Sequence, residues 1–206
     1  MKKIVTCMLL ALSFSAYAYD NNTPSKTVQE ESNSLNNSSG FAFSIGHFNL
    51  DSDNSAQEGI GDSGTFLKFG WEAQQSHLAY GFGLSGLLLK DNDSFNVTVE
   101  NNFGSQYSSS SSVDAFGFYG ELGYSLPMGE SSKFDLMGGI DLLWANRGIA
   151  NCTDCPSEDV NLDGGLYVEP RLTFVNDGSF NFSIAYRHYP DSDIEGGINL
   201  NFSWAN

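Results

Sequence analysis

The 206-residue chain carries nine Lys/Arg against 25 Asp/Glu, a net charge of −16, with 16 Phe, 9 Tyr, 3 Trp and 22 Gly. So few cations exclude general nucleic-acid binding, which needs Lys and Arg to neutralise phosphates. Abundant Gly and aromatics argue for β structure over a helix bundle, and no 18-residue apolar stretch follows the N-terminal segment, which argues against a spanning helix.

Met1-Lys2-Lys3 supplies a positive start, Ile4 to Phe14 an apolar run, and Ala16-Tyr17-Ala18 a small-x-small cleavage site. Residues 1–18 therefore read as a secretory signal peptide. Cys7 leaves with it, before the small residues, which argues against a lipoprotein anchor. Two of the nine basic residues and none of the 25 acids precede Ala18, so the exported chain keeps seven basic residues against 25 acids. Residues 19–39 are mostly Asn, Ser, Thr and Glu, with one Pro. Such a segment buries too little apolar area to fold alone and reads as a flexible tail.

From Phe41 onward the dominant period is two, the mark of strands. Phe41–Leu50 begins with Phe41, Phe43 and Ile45 on one face; Phe48 and Leu50 then change parity, for which a bulge near Gly46-His47 is the expected cause. Thr65–Glu72 sets Leu67, Phe69 and Trp71 against Phe66, Lys68, Gly70 and Glu72. His77–Leu89 sets Leu78, Tyr80, Phe82, Leu84 and Leu88 against Ala79, Gly81, Gly83 and Ser85. Val113–Leu126 sets Phe116, Phe118, Leu122, Tyr124 and Leu126 against Ala115, Gly117, Tyr119, Glu121 and Ser125. Phe134–Trp144 sets Leu136, Ile140 and Leu142 against Asp135, Met137 and Asp141. Leu162–Phe174 sets Leu166, Val168, Leu172 and Phe174 against Tyr167, Glu169, Arg171 and Thr173. Phe180–His188 sets Phe180, Phe182, Ile184 and Tyr186 against Asn181, Ser183, Ala185 and Arg187. The last segment sets Ile194, Ile198, Leu200, Phe202 and Trp204 against Glu195, Gly197, Asn199, Asn201 and Ser203.

Eight strands follow. Short links at 74–76, 127–132 and 176–179 alternate with long polar links at 51–63, 90–112 and 146–161; the fourth outer link, Tyr189–Asp193, is shorter. Short turns on one rim and long loops on the other describe an all-β, eight-stranded antiparallel up-and-down transmembrane β-barrel spanning 40–206, with periplasmic turns and extracellular loops. A secreted soluble barrel would instead turn the apolar face inward around a ligand. Three features favour lipid on the apolar side. The polar face is rich in Gly, Ala and Ser, as a narrow eight-stranded interior requires. Trp71, Tyr124, Phe134, Phe174, Phe180 and Trp204 collect near the short turns like an interfacial girdle. The polar face also carries Lys68, Arg171 and Arg187 with Glu72, Glu121, Asp135, Asp141, Glu169 and Glu195, and ions in a nearly dry lumen must pair. The interior therefore reads as a plug of ion pairs.

With its signal peptide, eight alternating strands and the aromatic-ending final strand Ile198-Asn199-Leu200-Asn201-Phe202-Ser203-Trp204, the chain resembles the small outer-membrane barrels of the OmpA/OmpX type over about 40–204. It departs from them in that Ala205-Asn206 follow the terminal aromatic. The resemblance implies a bacterial outer-membrane location, outer-membrane lipid and lipopolysaccharide as surroundings, and a monomer. The cell-wall tether of full-length OmpA is not implied.

Candidate chemistry is sparse. Acids recur in the outer links as Asp51-x-Asp53, Asp91-x-Asp93, Asp191-x-Asp193 and Asp154/Glu158/Asp159. Hard cations take such oxygens, yet the spacing matches no calcium loop, and solubilising loop acids are the simpler reading. Cys152-Thr153-Asp154-Cys155 lacks the strand–helix context of a redox motif; a zinc site there would need two further ligands, and His47, His77 and His188 lie in other segments. A loop disulfide suits the exported context. No metal or cofactor is expected. The enzyme alternative is a lipid A deacylase of the PagL type, which carries a lipid-facing His-x-Ser pair with a Glu. Here the sequence reads His188-Tyr189-Pro190, with Ser192 four residues on and Glu195 on the polar phase. That spacing does not bring nucleophile and base within reach. The favoured function is a non-enzymatic structural or surface protein whose outer loops, including the Ser108–Ser112 run, meet a host or surface ligand.

Overall fold

The computed structural model describes residues 37–94, 96–100, 104, 106–129, 131–149, 155, 157–175 and 180–205. The expected signal peptide (1–18) and all but the end of the expected tail (19–39) lie outside them. Among the described residues there are ten strands and one short helix: β1 (Ser38–Leu50), α1 (Ser52–Gln57), β2 (Ile60–Gln75), β3 (Leu78–Asp91), β4 (Asn96–Glu100), β5 (Gln106–Pro127), β6 (Ser132–Ile149), β7 (Glu158–Val160), β8 (Gly165–Val175), β9 (Phe180–His188) and β10 (Ile194–Ala205). Eight form a ring in the order β1-β2-β3-β5-β6-β8-β9-β10, every pair antiparallel, and β10 closes onto β1 from Gly40↔Ala205 to Leu50↔Ile194. The chain is an eight-stranded up-and-down β-barrel. Closure leaves the ring without an unpaired edge. β4 and β7 are additions at the long-loop end, where they extend β5 and β6.

Alternation explains the ring. Outward positions are Phe, Leu, Ile, Tyr and Trp; Phe82, Phe118, Leu142, Leu166 and Ile198 are all at least half exposed. Inward positions are small, polar or charged, with a few large rings set against glycine. Tyr167 lies over Gly139, whose added Cβ would come within 2.4 Å of the ring, and Tyr119 lies over Gly70 and Gly83. Large against small is how a narrow lumen is filled.

The turns follow local chemistry. Between β2 and β3 the loop is Ser76-His77, beginning two residues later and ending one residue later than the sequence suggests. Ser76 adopts φ +54°, as a two-residue hairpin favours. Asn37 Oδ1 accepts its N–H at 3.1 Å and Gln74 donates to its carbonyl at 2.9 Å. At the other end, Asp51 caps α1 by accepting the N–H groups of Asp53 and Asn54, both at 3.0 Å. That six-residue helix lies in a link that reads as plain polar loop.

The expected bulge near Gly46-His47 is absent, because β1 keeps one phase throughout. Phe48 and Leu50 stay inward and are buried among apolar side chains of the neighbouring strands and links. The bulge lies on the partner strand: pairing steps from Asn49↔Gly196 to Leu50↔Ile194, leaving Glu195 unmatched. Gly196 sits there at φ +148°, and a Cβ would stand 2.2 Å from the Arg187 carbonyl. The extra residue reverses parity, so Ile194 is buried and Glu195 is exposed.

The seam leaves no room at Gly197, where a Cβ would fall 1.9 Å from the His47 carbonyl oxygen. Gly197→Ala is expected to destabilise the folded barrel by about 1–3 kcal/mol. Gly120→Ala, with nothing within 4 Å, should change stability by less than about 0.5 kcal/mol. Urea titration of both variants in detergent checks this, and equal midpoints would contradict the seam geometry.

Candidate functional site

Among the described residues, charged side chains converge in the lumen, which is layered. In the middle lie Lys68 (β2), Glu121 (β5), Asp141 (β6), Glu169 and Arg171 (β8) and Arg187 (β9), all buried. Each points inward because it shares the phase of its strand's small residues. Glu121 is the hub: it meets Lys68 at 3.0 Å and Arg171 at 3.1 Å, and accepts the Tyr167 hydroxyl at 2.8 Å. Glu169 bridges Arg171 at 2.8 Å and Arg187 at 2.7 Å. Arg187 also reaches Asp141 at 2.8 Å. Arg171 extends toward the tight turns to Glu72 at 3.1 Å.

Aromatic faces complete the desolvation. The Arg187 guanidinium lies 3.9 Å from the Tyr167 ring centroid and 4.6 Å from that of Phe66, and Lys68 Nζ lies 4.5 Å from that of Tyr119. The Tyr189 hydroxyl hydrogen-bonds to Asp141.

Below this layer, toward the tight turns, Asp135 accepts hydrogen bonds from Ser125 at 2.5 Å and Thr173 at 2.7 Å, and meets Lys133 at 3.5 Å. A cleft of about 40 Å³ opens there, lined by Glu72, Gln74, Lys133, Asp135, Arg171 and Ser203 among others.

Above the ionic layer the lumen turns apolar. Phe48, Leu50, Ile60, Phe66, Leu87, Val113, Val160, Leu162, Tyr189 and Ile194 form one buried cluster. Ile60, Val160, Leu162, Tyr189 and Ile194 come from the links or strand ends at the long-loop rim, so those links fold over the mouth. Arg147, beyond the apolar belt on β6, ties them together. It meets Asp91 at 3.1 Å and Glu158 at 3.2 Å, and donates to the carbonyls of Glu58 at 2.7 Å and Gly59 at 3.3 Å. Burial opposes its charge, yet the Asp91 and Glu158 carboxylates beside it hold the guanidinium above its ordinary pKa. Further bonds link Asp163 N–H to Asp193 at 2.7 Å and Asn161 N–H to Glu58 at 3.0 Å.

The structure thus brings together eight of the nine expected lumen charges and leaves one out. Glu195 faces outward, because the bulge on β10 reverses its phase. Lys133 is a cation the sequence reading missed, since that reading began the strand at Phe134. Carrying the alternation one step back from Asp135 would have found it. Lumenal acids therefore number five against four cations, where the sequence counted six against three.

Trp71, Tyr124, Phe174, Phe180 and Trp204 are exposed on the outer face, with half-buried Phe134 in phase with them. Phe41 packs against Trp71 with ring centroids 5.1 Å apart, and Phe180 against Trp204 at 5.5 Å.

His188 and Glu195 are both exposed, and His188 Nδ1 lies 3.1 Å from the Glu195 backbone carbonyl. The Ser192 hydroxyl is committed elsewhere: it donates to the Asp163 carbonyl at 2.7 Å and accepts the Ile194 N–H at 3.1 Å. The geometry therefore assembles no His–Ser nucleophile pair here. Cys155 is disulfide-bonded; Cys152 lies outside the described residues. Among the described residues no group of three or more His, Cys, Asp or Glu is placed to hold a metal ion.

No protein-family model matches the chain, and no curated protein matches it. Solved structures similar to the chain include two bacterial surface proteins. Neisserial surface protein A is 9% identical, with 82% of this chain and 94% of that one covered at a TM-score of 0.49. Ail, the attachment invasion locus protein of Yersinia pestis, in complex with the heparin analogue sucrose octasulfate, is 11% identical, with 84% and 100% covered at a TM-score of 0.47.

Removing the hub carboxylate strands Lys68 and takes one of three carboxylate partners from Arg171, which keeps Glu72 and Glu169. Glu121→Gln is expected to cost about 3–5 kcal/mol of stability, as for other broken buried ion pairs. Lys68→Met combined with Glu121→Gln should cost clearly less than the two single changes summed. Additive losses in denaturant titrations would show that Lys68 and Glu121 do not interact.

Proposed function

We propose that this chain is an integral bacterial outer-membrane protein, exported by residues 1–18, whose barrel is an anchor and whose long-loop end is its contact surface. The observation that carries this reading is the inversion of sides: apolar outside, ionic inside. Five outward positions on a strand span eight residue steps, about 26 Å at ~3.3 Å per residue. Tilted by about 40°, they make a band about 20 Å tall, near the height of a barrel's lipid-facing belt. Water does not accommodate such a continuous apolar surface on a soluble monomer. A soluble ligand carrier would need an apolar cavity inside, whereas this lumen is filled with paired charges and, at the mouth, packed side chains.

The role we assign is non-enzymatic. Ser192 spends its hydroxyl on backbone groups, which leaves His188 without a nucleophile. The ionic layer and the apolar layer above it support a plugged interior rather than a conducting one. Exposed Asp53, Asp93, Asp114, Asp159, Asp163, Asp191 and Glu195 gather at the long-loop end. A polyanion such as the sucrose octasulfate seen with the Yersinia protein would meet like charge there, so we infer a ligand that is not polyanionic. Lipopolysaccharide at the rim, a monomeric state and a Cys152–Cys155 disulfide belong to the same reading.

The deciding experiment is fractionation with heat-modifiability. Recovery in the outer membrane, with a gel shift on boiling, is the expected outcome; recovery from the periplasm without detergent would overturn the reading. Phe118→Arg, near the middle of the belt, should cost about 2–4 kcal/mol of stability in lipid. His188→Ala should leave the lipid A profile of the cells unchanged, and a changed profile would revive the deacylase alternative.

A further inference from the structure

We propose that the lumen holds a file of bound water that enters from the tight-turn mouth and ends at the Lys68–Glu121 pair, so that solvent reaches the ionic layer from one end only. This does not depend on what surrounds the barrel. Among the described residues, seven buried side-chain nitrogen and oxygen atoms lack a hydrogen-bond partner within the protein. Five of them belong to Ser44, Ser85, Tyr119 and Asn201, and these four residues share one side of the lumen. Asn201 faces Ser44 across the β10–β1 seam, Ser44 faces Lys68 across β1–β2, and Lys68 faces Ser85 across β2–β3. Tyr119 sends its hydroxyl over Gly70, where an added Cβ would meet it at 2.4 Å; Gly70 is two residues from Lys68 on the same face.

Buried polar groups are ordinarily paired with protein or with ordered water. A single orphan is an irregularity. Here Asn201 and Ser44 face each other unbonded, Ser44 and Ser85 flank Lys68 from its two neighbouring strands, and the Tyr119 hydroxyl lies two residues further along the same face, so a partner that both donates and accepts would satisfy all four. Asn201 offers a donor and an acceptor, the three hydroxyls offer both, and a water needs two to four such partners.

The entrance is in place. Ser203, two residues from Asn201 on the same face, lines the cleft at the tight-turn mouth together with Asn181, and Ser203 faces Asn181 across β10–β9. The other end is shut. Phe48, Phe66, Leu87 and Val113 are buried above the row with relative exposures of 0–3%, and the gap left among Phe48, Phe66 and Leu87 beside Arg187 and Asn199 is only about 10 Å³, at the lower limit for a single water.

Accessibility of single thiols tests this in the full chain extracted in detergent. Ser44→Cys, Asn201→Cys and Leu87→Cys are exposed to silver ion, which is close to water in size, and the unsubstituted protein gives the background. The remaining free thiol is counted after unfolding. Cysteines at 44 and 201 should be consumed at least tenfold faster than the cysteine at 87. Equal protection at all three positions, or equal reactivity, would overturn the proposal. A second measurement needs no variant: magnetisation transfer between water and the Asn201 side-chain amide in the unsubstituted protein should be observed by NMR, and its absence would equally overturn the file.

Discussion

The structure turns on one constraint. Eight strands close into a ring too narrow for bulk solvent, and the charges that point into it must find one another. An isolated ion in such a space costs several kcal/mol even after relaxation. Lys68, Arg171 and Arg187 come from three strands, and Glu121, Asp141 and Glu169 from three positions on strands opposite or beside them. Their pairing therefore fixes strands that are not neighbours in the ring. Glu121 on β5 is bonded to Lys68 on β2 and Arg171 on β8, none of which pair through the backbone. Backbone ladders hold each strand to two neighbours; the ionic layer holds the ring across its diameter.

A buried ion pair is weak evidence for stability, since an apolar core of the same volume often serves as well. Its value here is geometric. A ring of antiparallel ladders can slip in register, and a slip of one residue turns every side chain to the opposite face. In this barrel a slip would put Arg171 or Arg187 among Phe and Leu on the outside and Phe or Leu opposite Glu169. The charges penalise the wrong registers more than they reward the right one. The same reasoning accounts for glycine at Gly70, Gly83 and Gly139: Tyr119 and Tyr167 occupy space that only a residue without a side chain leaves free.

Most of the ring was legible in the sequence, because alternation of bulky apolar with small or charged residues reports the two sides of a strand directly. Eight of nine lumen charges sit where their phase places them. What failed has a physical cause in each case. Glu195 was misplaced because a bulge adds one residue, and a one-residue insertion leaves no trace in composition; only the Gly196-Gly197 pair hints at it. Phe48 and Leu50 look like a change of parity if apolar residues belong only outside, whereas the upper lumen has an apolar layer of its own. Lys133 and Arg147 were missed because ladders run past the apolar belt at both rims, where the outward positions become polar and the contrast fades. The six-residue helix α1 lies in a segment too polar to show an amphipathic face.

The two ends of the barrel also differ in a way that follows from chain connectivity. At the tight-turn rim, links of a few residues cannot reach across the lumen, so the interior stays open to a polar cleft. At the other rim the links are long enough to fold inward and carry Ile60, Val160, Leu162 and Tyr189 over the ionic layer. Arg147 then serves several links at once, with four of its five N–H donors directed at Asp91, Glu158 and two carbonyls. Loop length thus decides which end is sealed, and the seal in turn frees the acidic side chains above it to face outward. The charge of that surface is then set by the acids the cap does not consume, among them the exposed Asp53, Asp93, Asp159, Asp163 and Asp191.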